Sequence, residues 1–315
     1  MTNNLYNRRR FIKNVVLGGI ALSLPNYLFS EEIVENSESL KKLAILHTND
    51  VHSQIESISK NDSKYPDMGG FAERSAMIKS IRAANSNVLL FDAGDIFQGT
   101  PYFNMFKGEL EIKLMNEMKY DAGTIGNHEF DYGVENLKNQ ILKANFPFIN
   151  SNYDVSSSIL NNCISTHKII IKDNIKIGVF GLGVEMAGLV DNKNFDQILY
   201  KSPLEVSNKM INLLKYDEKC DLVVCLSHLG YENKNNLVSD VILAKETTGI
   251  DLIIGGHSHT ILKEGTVINN KNNNETIIVQ TGSKGGNLGC VELYIDREKT
   301  GKNRKKSIIK NLNNQ

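Results

Sequence analysis

From Leu43 onward, short apolar runs alternate with longer segments in which polar residues interrupt the apolar ones. Eight runs read as strands: Leu43–Thr48, Asn87–Phe91, Phe148–Asn150, Ile175–Phe180, Leu222–Leu226, Leu252–Ile254, Thr276–Gln280 and Val291–Ile295. Several are continuous stretches of Val, Ile and Leu, as strands buried on both faces are. Between them, Phe71–Ala84, Leu110–Met118, Val134–Lys143, Leu204–Leu214 and Leu237–Lys245 carry helical spacing. Alternating strand and helix predicts an α/β layered domain with a largely parallel or mixed sheet. The Asn-rich stretch Asn269–Asn274 reads as a surface turn, and no internal repeat is present.

The N-terminus departs from this pattern. Arg8, Arg9, Arg10 and Lys13 precede an apolar run, Val15–Leu24, that contains Gly18 and Gly19. A spanning helix needs roughly 20 apolar residues, so the run is too short and reads as a signal-peptide core. Asn7-Arg8-Arg9-Arg10-Phe11-Ile12-Lys13 resembles a twin-arginine export signal. The expected organisation is an export signal over residues 1–30, a polar linker over 31–41 and one domain over 42–315. The expected location is periplasmic or exported, touching a membrane only through the signal or an uncleaved anchor.

Hydrophobic residues make up 41% and charged residues 23%, which excludes a disordered chain. Lys+Arg 36 against Asp+Glu 36 gives zero formal charge and argues against a nucleic-acid binder. Removing the signal takes four bases and no acid, leaving 32 against 36 and a charge of −4. The basic stretch Arg297–Lys310 reads as a solvated tail. Cys163, Cys220, Cys225 and Cys290 show no C-x-x-C spacing, and none is expected to be catalytic. Cys225, within Leu222–Leu226, reads as a small core residue.

The chemistry lies where apolar runs end, the usual ligand-binding edge of α/β folds. The first run ends in His47-Thr48-Asn49-Asp50-Val51-His52 and the second in Asp92-Ala93-Gly94-Asp95. Gly126-Asn127-His128-Glu129-Phe130-Asp131 follows, then Ser227-His228-Leu229-Gly230 and Gly255-Gly256-His257-Ser258-His259. Each alone is weak, although paired glycines before two histidines suit metal ligation. With His47 set aside as lying before the first motif on its strand, they hold five of seven histidines, and His47 and His167 read as structural. Such donors suit Zn or Mn, with Fe or Co as alternatives. Two carboxylates, Asp50 and Asp95, against two divalent ions leave net positive charge that attracts an anion such as phosphate.

These motifs resemble those of the calcineurin-like metallophosphoesterases, specifically the 5′-nucleotidase branch, over Leu43 to Ile295. The resemblance implies a four-layer α/β/β/α sandwich with a dimetal site at the strand ends. It implies Asp50, His52 and His259 on one ion, Asn127, His228 and His257 on the other, and Asp95 bridging them. It further implies attack on phosphorus by a metal-bridging hydroxide. His128 would donate to the phosphate and leaving oxygen, Asp131 would orient His128, and Asn127 would touch the phosphate as well as its metal. Nucleotidase relatives clamp the base with a C-terminal domain that has no counterpart in these 315 residues. The expected substrate is a phosphate ester, foremost a nucleotide, with the clamp supplied by a separately encoded nucleotidase C-terminal domain protein or absent. The alternatives on this fold are 2′,3′-cyclic-nucleotide phosphodiesterase and thiosulfohydrolase. A non-catalytic binding module is disfavoured because every ligand position and His128 are present.

Overall fold

Strand β1 (Leu40–Thr48) shows how the layers arise. Side chains alternate across a strand, and Leu43 and Ile45 enter one apolar cluster while Ala44 and Leu46 enter another. The computed structural model describes residues 40–233, 237–296 and 308–313, with backbone alone at 40, 296 and 308–313. The export signal and most of the linker lie outside the described residues. Leu40–Gln315 forms one compact unit, and β1 begins two residues ahead of the expected domain start.

Next come α1 (Phe71–Ala84), β2 (Val88–Asp92), α2 (Pro101–Phe106), α3 (Glu109–Met118), β3 (Ala122–Gly123) and α4 (Gly133–Ile141). Then follow β4 (Tyr153–Asp154), β5 (His167–Lys172), β6 (Ile175–Gly183), β7 (Leu199–Tyr200), α5 (Pro203–Ile211) and β8 (Leu222–His228). The chain continues through α6 (Asp240–Glu246), β9 (Leu252–Gly255), β10 (Thr266–Asn269), β11 (Glu275–Val279), β12 (Asn287–Asp296) and β13 (Ile308–Asn313).

Two large sheets form, in the orders β13-β12-β1-β2-β3 and β10-β11-β9-β8-β6-β5, and β4 pairs with β7 in a small antiparallel one. β1, β2 and β3 run parallel, as do β6, β8, β9 and β11, so each sheet collects its carboxyl ends along one edge. Between the sheets lies an apolar layer in which Leu43, Ile45, Leu89 and Phe91 meet Ile177, Val179, Val224 and Leu226. Outside the first sheet, Leu46 and Leu90 pack with Ile78, Ile112 and Leu137 of α1, α3 and α4. Outside the second, Val223, Cys225 and Ile253 pack with Val206, Ile211 and Leu243 of α5 and α6. The result is the expected four-layer α/β/β/α sandwich.

The structure corrects three expectations. Phe148–Asn150 makes only isolated bridges to Gly123 and Ser165, because Asn150 Oδ1 accepts from the backbone N–H groups of Asn152 and Tyr153 and turns the chain. The helix expected over Leu204–Leu214 ends at Ile211 and widens into a π-type turn over Asn212–Asp217. The tail is not wholly solvated, since Ile308–Asn313 adds to the open edge of β12 and gives its backbone groups partners. All four cysteines are free thiols. Among the described residues no helix is long and apolar enough to cross a membrane.

Candidate metal centre

After β1, β2 and β9 the chain presents its site residues from turns that most side chains avoid. Asp50, His52, Asp95, His257 and His259 all have positive φ, between 49° and 69°. Non-glycine residues in this region are uncommon, cost of order 1–3 kcal/mol each, and cluster at functional sites. Backbone bonds hold the turns together: Asp50 N–H donates to Gly94 O at 2.9 Å and His52 N–H to Asp95 O at 3.0 Å. Glycine is required at two crowded points. A Cβ on Gly126 would lie 2.8 Å from His228 Nε2, and one on Gly256 would lie 2.8 Å from Ala93 O.

The five motifs converge from both sheets. His52 Nε2 and His259 Nε2 face each other at 2.9 Å, and Asp50 Oδ1 lies 3.3 Å from His259 Nε2. The ligand atoms of Asp50, His52 and His259 lie within 4.8 Å of one another, as do those of Asp95, His228 and His257. His228 Nε2 is 3.0 Å from Asp95 Oδ2, and Asn127 Oδ1 is 3.0 Å from His257 Nδ1. Nitrogen and oxygen donors aimed at common points fit a pair of divalent cations. Every residue proposed as a ligand from sequence is therefore in the cluster.

His128 stands at the rim, its ring centroid 5.3 Å from that of His52. Its backbone N–H donates to Asp95 Oδ1, and its Nδ1 lies 2.9 Å from Asp131 Oδ2. His47 and His167 stay apart. His47 is fully buried on β1 and burial pushes it down to about 3, while His167 is half-buried on β5.

The electrostatics follow from burial and proximity. Burial alone would raise Asp95, but His228, His52 and His128 hold it well below the usual carboxylate range. Burial alone would lower His228, but Asp95, Asp50 and the Ala93 carbonyl raise it to about 10. Burial takes His257 down to about 4, with the charge of His228 adding to the effect. For His128, burial is outweighed by the hydrogen bond to Asp131 and by the charges of Asp95, Asp131 and Glu129, so its pKa is raised.

Sequence reasoning gave no role to Glu129, Asn49 or Asp92. Glu129 is buried and accepts from the N–H groups of Gly126, Asp95, Ile96 and Phe97, which ties two site loops together. Asn49 accepts from Thr281 N and Oγ1 and donates to Gly282 O, fixing the loop that carries Asp50. Asp92 accepts from Thr48 Oγ1 at 2.5 Å and from Gly94 N at 2.8 Å. The available signal was their position, a polar residue beside each ligand at a strand end.

The family model for calcineurin-like phosphoesterase matches residues 43–260. The snake venom 5′-nucleotidase of Crotalus adamanteus is 35% identical over 236 residues, covering 71% of this chain and 38% of that protein. Human 5′-nucleotidase is 31% identical over 281 residues, covering 81% of this chain and 47% of that protein. The crystal structure of the 5′-nucleotidase precursor from Thermus thermophilus superposes with TM-score 0.78 at 29% identity, over 87% of this chain and 54% of the other. The chain thus spans under half the length of these two curated relatives.

Proposed function

Because the chain belongs to the calcineurin-like phosphoesterases, we propose that its strand-end cluster is the dimetal centre of a phosphomonoesterase acting on 5′-nucleotides. The convergence of Asp50, His52 and His259 with Asp95, His228 and His257 beside the His128–Asp131 pair carries this reading. Asp95 would bridge the two ions and Asn127 would complete the inner set. When bound, the ions supply a nucleophile from water at neutral pH and positive charge for the transition state. Zn or Mn fits the donor set best.

The chain's own residues do the rest. His128, at the rim, holds a proton that it can give to a phosphate or leaving oxygen. Asp131 sets the ring orientation and stabilises the protonated form. The Asn127 amide stands beside the inner group, where it can also contact the phosphate. Asp50 and Asp95 add negative charge that repels an anion, so attraction for a phosphate ester depends on loaded metal.

Kinetics on AMP, cyclic nucleotides, a generic aryl phosphate and a protein-bound thiosulfonate, with defined metals and Asp95→Asn as control, test the reading. AMP as best substrate supports it. Preference for a cyclic nucleotide or for the sulfur ester would replace it with the corresponding alternative, and no metal-dependent hydrolysis would leave a binding module. We propose further that a separately encoded nucleotidase C-terminal domain supplies the base clamp. Adding such a protein should raise the AMP to aryl phosphate ratio, and an unchanged ratio excludes it.

The Asn7–Lys13 signal supports export by the twin-arginine route. Replacing Arg8 and Arg9 with lysine should leave the protein in the cytoplasm, and unchanged export would exclude that route. Export in the folded state permits metal choice in the cytoplasm and hence weakly bound Mn. Zn-only occupancy in protein from its native compartment would count against Mn.

A further inference from the structure

The least expected residue in the apolar layer under the first sheet is Arg74 of α1. It is 2% exposed, and its Nε and Nη1 groups make no hydrogen bond. Buried arginines are rare unless paired, so what this one touches is informative. Besides the Phe71 ring, whose centroid lies 4.7 Å from its guanidinium carbon, it makes two connections, and each leads to a different proposed metal ligand.

The first runs through the loop before β12. Arg74 Nη2 donates to Gly285 O at 3.2 Å. Gly285 has φ +57°, and a Cβ there would collide with the guanidinium. One residue earlier, Lys284 N–H donates to Asp50 O at 2.7 Å. The same loop supplies Thr281 and Gly282 to Asn49, and Ser283 N–H to Tyr65 Oη at 3.2 Å. Holding this loop therefore holds the backbone of Asp50.

The second runs through side chains. The positive charge of the guanidinium acts on the Tyr120 hydroxyl: burial pushes the phenol up to about 12, and the Arg74 charge opposes that rise. Tyr120 Oη lies 2.8 Å from Thr48 Oγ1, which lies 2.5 Å from Asp92 Oδ2. Asp92 Oδ1 accepts from Gly94 N–H at 2.8 Å, one residue before Asp95. Thr48 Oγ1 gives its one proton to Asp92 Oδ2, and this fixes the direction of the row. Tyr120 donates to Thr48 and Thr48 to Asp92, so Asp92 is held as an acceptor for Gly94.

We infer that Arg74 is a positioning residue that acts from behind the sheet, holding the turn that presents Asp50 by its hydrogen bond to Gly285 and steadying the turn that presents Asp95 by its charge behind the Tyr120–Thr48–Asp92 row. This rests on the dimetal reading. Supports behind a metal ligand typically change metal affinity by about 10–100-fold. The geometry also predicts asymmetry. Tyr120→Phe breaks only the row to Asp95, whereas Arg74→Met removes both the bond to Gly285 and the charge behind that row.

The test uses the full metal-free chain, titrated with Mn²⁺ by calorimetry, with thermal unfolding of each metal-free protein alongside. For Tyr120→Phe the expected result is a roughly 10–100-fold weaker Mn²⁺ affinity, an unfolding midpoint close to wild type, and kcat restored at saturating Mn²⁺. Arg74→Met should weaken affinity further. Should Arg74→Met fail to fold, Tyr120→Phe and Thr48→Val still decide the matter. Affinities within about threefold of wild type in those two variants, or losses that only track a fall in metal-free stability, overturn the inference. A wild-type chain that binds fewer than two ions overturns the dimetal reading itself, a separate and distinguishable failure.

Discussion

The two halves of the metal cluster are built to different standards. In the inner half, His228 is fully buried and its Nδ1 is committed to Ala93 O at 2.7 Å, which leaves Nε2 facing Asp95. His257 N–H donates to Asp50 Oδ1 and its ring meets Asn127, so ring and backbone are both fixed. In the outer half, the His259 side chain is 42% exposed and, among the described residues, its Nε2 meets Asp50 and His52. His52 is half-buried, with Nδ1 lacking any partner. A ligand whose second nitrogen is anchored holds its metal better than one left loose. The inner half should therefore be a resident metal position and the outer half an exchangeable one.

Removing what the halves share should have the largest effect. Asp95 touches the inner group through His228 and the rim through the His128 N–H. Asp95→Asn should abolish tight binding of both ions and lower kcat by on the order of 10³-fold, since the metals provide several kcal/mol of transition-state stabilisation. Metal analysis with single-turnover kinetics checks this. Retention of two ions would remove the bridging role.

Removing one ligand from each half sharpens the contrast. His228→Asn should lose activity that excess metal does not restore, because the change leaves Asp95 buried without its partner. His259→Asn should bind its ion about 10–100-fold more weakly and recover activity at high metal. Equal rescue of the two variants would erase the distinction. Stepwise chelation of wild type gives the same contrast without mutation. The outer ion should leave first, in a separate phase, and a single phase for both ions would contradict the asymmetry.

On the proposed reading, His128→Ala belongs to the chemistry, not to either half. It should keep both ions and lose about 10²–10⁴ in kcat, the range for a positioned proton donor. Loss of a metal in this variant would instead assign His128 as a ligand, since its ring also lies near His52 and Asp95.

The same division between anchored and loose parts explains what the sequence disclosed. The layers were readable because strands buried on both faces leave continuous apolar runs, as at Leu222–Leu226, and α1 was readable to the residue from Phe71 to Ala84. The convergence of the candidate ligands was readable because His and Asp beside glycine at strand ends have few other uses. Elements set by tertiary context were not. β3 is two residues long, and β5 carries a partly exposed pattern that gives little periodic signal. Arg74 was invisible as a support, since only the fold brings it to Gly285 and Tyr120, and the same is true of Asn49 and Thr281.

The smallest predicted change tests how the rim is tuned. Asp131 faces His128 Nδ1 at 2.9 Å, and its hydrogen bond and charge help raise the His128 pKa. A raised histidine keeps its proton to higher pH, so donation persists below the folded pKa and is lost as pH rises through it. Removing the carboxylate removes part of the upward shift, and the alkaline fall in rate must move to lower pH. Asp131→Asn should therefore shift that limb of the kcat profile down, with only about a tenfold loss at its optimum and full metal content. The two metal groups remain intact in this variant, so the limb reports His128 alone. A limb that stays in place would mean that the alkaline fall belongs to another group, and Asp131 would be left with orientation as its sole contribution.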